Sequence, residues 1–226
     1  MLCWCLNQKL ECCLLRGDFA DAARLVDELS PLLPNLNDPD RLWTLVLSAH
    51  ALVRLKRFEV ALELATTATE IARRVPPVYT YCIGAYDRLS ETWLRLIDWQ
   101  RKLSGNVDEK LLRGSRDTVA GLTRSARAFP LARPLAFLQQ GNLEMRRGRR
   151  ARAALQWRQG LDLAVKMQLV HPEARLSQAL SKALEPGPER EELSRRAQRA
   201  LENLNLPPDS GAYEPEADAA MPQLAM

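Results

Sequence analysis

The sequence predicts an all-α fold, a stack of about five helical hairpins followed by a disordered C-terminal tail. Three observations predict it. Leu, Ala, Arg and Glu dominate the 226 residues and only 10 are glycine; these dominant side chains lose little entropy in a helix. No stretch carries the dense alternation of β-branched residues that strands need. Proline, glycine and acidic caps cut the chain into segments of helical length.

Taken in order, Leu2 to Arg16 reads as a helix broken at Gly17-Asp18, with Asp18 placed to cap the next one. The second runs from Phe19 to about Leu33 and stops at Pro34. Asp38-Pro39 supplies an N-cap and a proline at the first helical position, where a missing N–H costs nothing. A third helix then covers about Pro39 to Leu55 and a fourth Glu59 to Arg74, with Pro76-Pro77 ending the pair. A long helix from about Val78 to Lys102 follows, then a joint at Ser104-Gly105-Asn106 and a helix from about Val107 to Phe129. The next pair spans about Pro134 to Arg147 and Ala151 to Met167 around a tight turn at Gly148. His171-Pro172-Glu173 opens another helix, and Glu185-Pro186-Gly187-Pro188 separates it from a last one, about Glu189 to Asn203. The helical domain is thus residues 1–206. The tail, 207–226, is too poor in apolar residues to order itself.

Composition narrows the function. A net charge of +4 is well short of a dedicated nucleic-acid binder. Apolar runs break before the roughly 18 residues of a membrane span, and the N-terminus lacks a signal peptide's basic region, so a cytoplasmic location is expected. Cys3, Cys5, Cys12, Cys13 and Cys82 have neither the spacing nor the nearby histidine of a zinc site. They read as buried or half-buried thiols acting as small hydrophobes. No cofactor or metal site is expected.

The turns share a register. Gly17-Asp18-Phe19-Ala20-Asp21-Ala22, Lys56-Arg57-Phe58-Glu59-Val60-Ala61 and Gly148-Arg149-Arg150-Ala151-Arg152-Ala153 each place a bend ahead of an alanine on the second helix. Gly141 and Ala49 fall seven residues before two of these bends, where the helices of one hairpin approach closest, and Pro34 falls where a repeat should end. These residues resemble the tetratricopeptide pattern, most clearly in the first, second and fourth hairpins. The third is degenerate, with Ala120 and Ala128 its best small positions. The repeats are irregular and generally longer than the family's roughly 34 residues.

A longer stretch is more specific: Arg127-Ala-Phe-Pro-Leu-Ala-Arg-Pro134, Gly141-Asn-Leu-Glu-Met-Arg-Arg-Gly148, Ala153-Ala-Leu-Gln-Trp157 with Gly160 and Leu161, then Ala164, Leu169 and Pro172-Glu-Ala. It resembles the C-terminal repeat arm of bacterial multidomain signalling proteins, in which a signalling ATPase module is joined to a class III nucleotide cyclase, a kinase or a DNA-binding domain. In that family the arm is taken to sense and to oligomerise. The chain carries no Gly-x-x-x-x-Gly-Lys-Ser/Thr phosphate loop. The resemblance therefore implies a regulatory, non-catalytic module that binds a protein or peptide.

On that alignment Trp43, Val46, His50, Val53 and Arg54 lie on the inner, concave side of the second hairpin. Leu135, Leu138, Asn142, Met145 and Arg146 are their counterparts in the fourth. Trp43, His50, Arg54, Asn142 and Arg146 are the candidate partner-binding set; the apolar concave residues read first as packing residues, and the polar ones equally as a groove or as plain solvated side chains. The first helix is apolar over most of its surface, with polar Asn7, Gln8, Lys9, Glu11 and Arg16. Leu2, Trp4, Leu6 and Leu10 therefore make it a surface expected to be covered, first by an upstream repeat of a longer protein, otherwise by a partner or by self-association with a second copy. The Arg146–Arg152 turn is the alternative, a nucleic-acid contact, though a solvated turn is the favoured reading because no aromatic platform for bases is interleaved. Trp93, Trp99 and Trp157 read as core anchors, and His50 and His171 as an unpaired couple with no catalytic partner.

Overall fold

The computed structural model describes residues 2–76 and 79–207. Val78, the expected start of the long helix, and residues 208–226 of the expected tail lie outside the described residues. Among the described residues there are ten α-helices and no strand. They are α1 Leu2–Arg16, α2 Phe19–Leu29, α3 Asp38–Arg54, α4 Phe58–Ala72, α5 Cys82–Ser104, α6 Glu109–Ala128, α7 Arg133–Arg146, α8 Arg150–Lys166, α9 Val170–Ala183 and α10 Pro188–Asn203. No described helix is long and apolar enough to cross a membrane.

Most boundaries fall within a residue or two of those read from the sequence, and the departures have local causes. The second helix ends at Leu29 and tightens into a 3₁₀ segment, Ser30–Asn35, which carries Pro31 and Pro34. Asp18 precedes α2 as expected, yet its side chain makes no capping hydrogen bond. The cap of α3 is Asn37, whose Oδ1 accepts from the Asp40 N–H at 3.0 Å, one residue earlier than Asp38. The α1/α2 and α7/α8 turns place Gly17 and Gly148 at φ 81° and 73°, a region where a Cβ is penalised. In the α3/α4 turn Lys56 takes that conformation at φ 61°.

Consecutive helices pack as antiparallel pairs, and each odd-numbered helix also touches the next odd-numbered one, from α1 through α9. The odd helices thus form a continuous layer. α3 and α5 run through its middle and are buried almost all round. At the C-terminal end α10 buries only Leu193, Ala197 and Leu201, one stripe at a four-residue interval, and turns charged residues outward. At the N-terminal end α1 buries Leu6, Leu10 and Leu14 but leaves Leu2 64% and Trp4 42% exposed.

Close helix approach within hairpins depends on glycine meeting an aromatic ring. A Cβ on Gly114 of α6 would lie 2.6 Å from the Trp93 indole of α5, and one on Gly121 2.8 Å from the Tyr86 ring. Gly141 of α7 packs in the same way on Trp157 of α8. The third hairpin is therefore regular in packing, but through Gly114 and Gly121. Ala120 and Ala128, its expected small positions, are exposed.

Two hydrophobic clusters run through the described residues. The larger joins α1 to α6 and ends at Ala132 and Ala136, where α7 begins. The smaller joins Leu138 of α7 to Trp157, Leu161, Leu176, Leu180 and Leu193. Leu135 packs against both. Beyond that pivot, α5 meets α7 and α9 largely through polar side chains.

Candidate functional site

That polar seam is the chemically richest part of the described chain. Asp87, Arg88, Glu91 and Thr92 project from α5, Gln139 and Asn142 from α7, Arg175 from α9 and His50 from α3, and all eight are buried. Arg175, only 1% exposed, is held by both carboxylates. Its Nη1 donates to Asp87 Oδ2 at 2.5 Å and its Nη2 to Glu91 Oε1. Gln139 Nε2 donates to the other Asp87 oxygen at 2.6 Å, and Asn142 Nδ2 donates to Gln139 Oε1 at 3.1 Å. Arg88 Nη1 reaches Glu91 Oε2 at 3.3 Å. Two carboxylates are thus matched by two guanidiniums, the condition under which buried charge is tolerated.

The spacing explains the arrangement. Asp87 and Glu91 are four residues apart, so they stand one turn above each other on one face of α5. A planar guanidinium laid across them meets one oxygen of each with separate N–H groups, which the point charge of a lysine cannot do. Burial works against the Glu91 charge, but Arg175, Arg88, His50 and Arg95 outweigh it and hold the carboxyl well below the usual carboxylate range. For Arg175 burial likewise opposes the charge, and Asp87 and Glu91 raise its pKa regardless.

Both histidines of the sequence lie at this seam. Burial pushes the His50 pKa well below its ordinary value, against the pull of Glu91. The Thr92 hydroxyl donates to the Arg88 carbonyl at 2.9 Å and stands 3.3 Å from His50 Nδ1, which places the imidazole proton on Nδ1. His50 Nε2 lies 3.8 Å from Glu91, too far for a hydrogen bond. His171 is pushed down to about 4 by burial and by Arg175 and Arg88, and its Nε2 has no hydrogen-bond partner. Both rings are therefore neutral at pH 7. Both face one charge cluster, His50 from α3 and His171 from the first turn of α9, since Glu91 and Arg88 act on each.

The five expected contact residues do not line an open surface together. Trp43, His50 and Asn142 are buried. Arg54 places its guanidinium 4.7 Å from the centre of the Phe19 ring. Arg146 is almost covered and donates to Asp98 Oδ2 at 3.2 Å. Trp43 belongs to an aromatic group with Trp4 and Tyr81, at ring-centre distances of 5.2 and 5.7 Å. Trp93 and Trp157 are core residues, and Trp99 stacks on Phe58 at 5.0 Å.

The basic turn is partly neutralised by its own chain. Arg147 and Arg149 reach Glu144 at 2.9 and 3.3 Å, and Arg150 reaches Glu185 at 3.2 Å. Gly148 to Arg152 still line an open concavity of about 510 Å³. The thiols also differ from expectation: Cys3 and Cys82 are buried and Cys13 half-buried, but Cys5 and Cys12 are exposed. Among the described residues no group of three His, Cys, Asp or Glu is placed to hold a metal ion.

Sequence reasoning missed Asp87, Glu91 and Arg175. The available signal was the charged stripe Asp87, Glu91, Arg95, Asp98 at helical spacing on a segment otherwise apolar enough to be interior. No family model matches the chain, and no curated protein matches it significantly.

Proposed function

We propose that the chain is a non-catalytic protein-interaction module, a tetratricopeptide-like stack acting as the regulatory repeat arm of a bacterial signalling protein of the ATPase–nucleotide cyclase type. The observation that carries the module reading is the unbroken layer of odd-numbered helices, α1 to α9, built from consecutive hairpins. Hairpins stacked on such a layer build one extended surface, whose exposed side chains come from many hairpins. The signalling assignment rests on the sequence resemblance between Arg127 and Ala174. The outer face of α1, with Leu2 and Trp4 exposed, is the surface we assign to self-association. The nucleic-acid alternative has less support, since Arg146, Arg147, Arg149 and Arg150 already face carboxylates.

The test is affinity capture from bacterial extracts with the full chain, beside sedimentation of the purified protein and a nucleotide-turnover assay. The reading expects a specific protein partner, no turnover, and self-association that Trp4→Glu abolishes. Nucleotide hydrolysis, or binding to nucleic acid alone, would overturn it.

A further inference from the structure

The Asp87–Glu91 pair has the form of a receptor for a guanidinium. Two carboxylates one turn apart on a rigid helix each take one N–H of the same planar group, and Gln139 from α7 orients the Asp87 carboxylate. The guanidinium that fills this site comes from far along the chain. Arg175 stands on α9, two hairpins beyond α5, and α9 takes its apolar packing from the smaller hydrophobic cluster with α7, α8 and α10. Apolar packing carries across from the larger cluster to α7 around Ala132–Ala136 and Leu135. The Arg175 contact is thus a long-range clasp between two separately cored blocks. The atoms around it are imperfectly satisfied: Arg175 Nε and His171 Nε2 are buried without hydrogen-bond partners. A fully optimised core pair would leave neither.

We propose that Asp87 and Glu91 form a guanidinium-binding site that Arg175 fills from within the chain, and that an arginine side chain of a partner protein can take its place. The clasp then serves as an intramolecular competitor. While Arg175 is seated the α7–α10 block is held against α5; when a partner arginine is seated instead, α9 is released from α5. Arginine is selected over lysine because a single ammonium cannot present parallel N–H groups to two carboxylates. The partner half of this proposal rests on the interaction-module reading, whereas the site itself does not.

Chemical rescue tests the site. In the full chain, Arg175→Ala leaves the two carboxylates facing a guanidinium-sized gap. Ethylguanidinium at millimolar concentration should raise the thermal midpoint of that variant saturably, with ethylammonium at least tenfold weaker. The effect should vanish in wild type and when Asp87→Asn and Glu91→Gln are added. Arg175→Lys is measured alongside in case the alanine variant does not fold, and should show the same selectivity more weakly. Absence of rescue in both variants, or equal rescue by ethylammonium, would overturn the site. For the competitor role, hydrogen exchange of the Val170–Ala183 amides in wild type should quicken at least threefold with N-acetyl-arginine amide and not with N-acetyl-lysine amide. Unchanged exchange would overturn displacement while leaving a successful rescue intact. Failure to capture any partner from extracts bears on the module reading alone.

Discussion

Arg175 and Glu91, 84 residues apart in sequence, form a buried ion pair that ties α9 to α5 across the polar seam. The energetic consequence is asymmetric. Forming such a pair adds little net stability because both ions lose their hydration, but removing one partner strands the other in the interior. Arg175→Met keeps most of the side-chain volume but leaves Asp87 with Gln139 and Glu91 with Arg88 alone, so it should cost about 3–5 kcal/mol in urea denaturation. Adding Asp87→Asn and Glu91→Gln to that variant should recover most of the loss. A cost below about 1 kcal/mol for Arg175→Met would mean that the clasp does not hold in solution.

The same seam sets the pH dependence of stability. His171 is held neutral down to about 4 and His50 is shifted in the same direction, both chiefly by burial. An unfolded histidine protonates near pH 6.5. Between about 6.5 and 4, therefore, the unfolded chain binds more protons than the folded one, and stability falls as the pH falls. His171 alone should account for about 2 kcal/mol between pH 7 and 5. Glu91 acts in a lower window: its depressed value gives stability that is complete above the ordinary carboxylate pKa and is lost as the pH drops below it. Urea denaturation at pH 7 and 5 checks the histidine part. His171→Leu should flatten the profile, and a wild-type stability independent of pH over that range would contradict the buried, neutral placement.

The helices were legible because their ends are written in local chemistry. Gly17, Gly148, Pro130 and the Pro186–Pro188 run interrupt the chain wherever its periodicity turns, and the observed ends follow them closely. The seam was not legible. Nothing local to Asp87, Glu91 or Arg175 marks them as paired, because α5 and α9 lie two hairpins apart. His50 and Asn142 were singled out by repeat register, which identified the layer they stand on. Register does not say whether a side chain on that layer faces solvent, and here His50 and Asn142 are buried between neighbouring odd-numbered helices. The apolar face expected on α1 is split by the packing: Leu2 and Trp4 are exposed, whereas Leu6 and Leu10 are buried against the neighbouring helices.

Gly114 provides a test in which two local effects oppose each other. Glycine inside a helix costs about 1 kcal/mol relative to alanine, so Gly114→Ala would stabilise an unobstructed helix. Here the added Cβ would lie 2.6 Å from Trp93. The indole is not free to move away, as its N–H donates to Thr69 Oγ1 at 3.0 Å. Overpacking of this kind costs about 1–3 kcal/mol, so a net loss of about 1 kcal/mol is expected. In a Trp93→Leu background the obstruction is gone and Gly114→Ala should become stabilising. A double-mutant cycle by chemical denaturation checks the change of sign, and a stabilising Gly114→Ala in the wild-type background would contradict the α5–α6 packing.

Thiol reactivity reads out the N-terminal half independently of the seam. Thiolates react and thiols do not, so rate depends on exposure and on the pKa. Cys5 and Cys12 are exposed and should be modified first by an aromatic disulfide reagent at pH 8. Cys13 is half-buried, and its thiol pKa is raised by burial and then by Asp21 and Asp18, so it should follow more slowly. Cys82 is buried and pushed up to about 12 by burial and by Asp40, while Cys3 is buried with its sulfur 3.4 Å from Thr44 Oγ1. Both should stay protected until denaturant is added. The expected time course is therefore two fast equivalents, one slow, and two released only by unfolding. Early modification of Cys82 would show that α5 does not sit between α3 and α6 as described, and early modification of Cys3 would show that α1 leaves α3 readily enough to be an exchangeable surface.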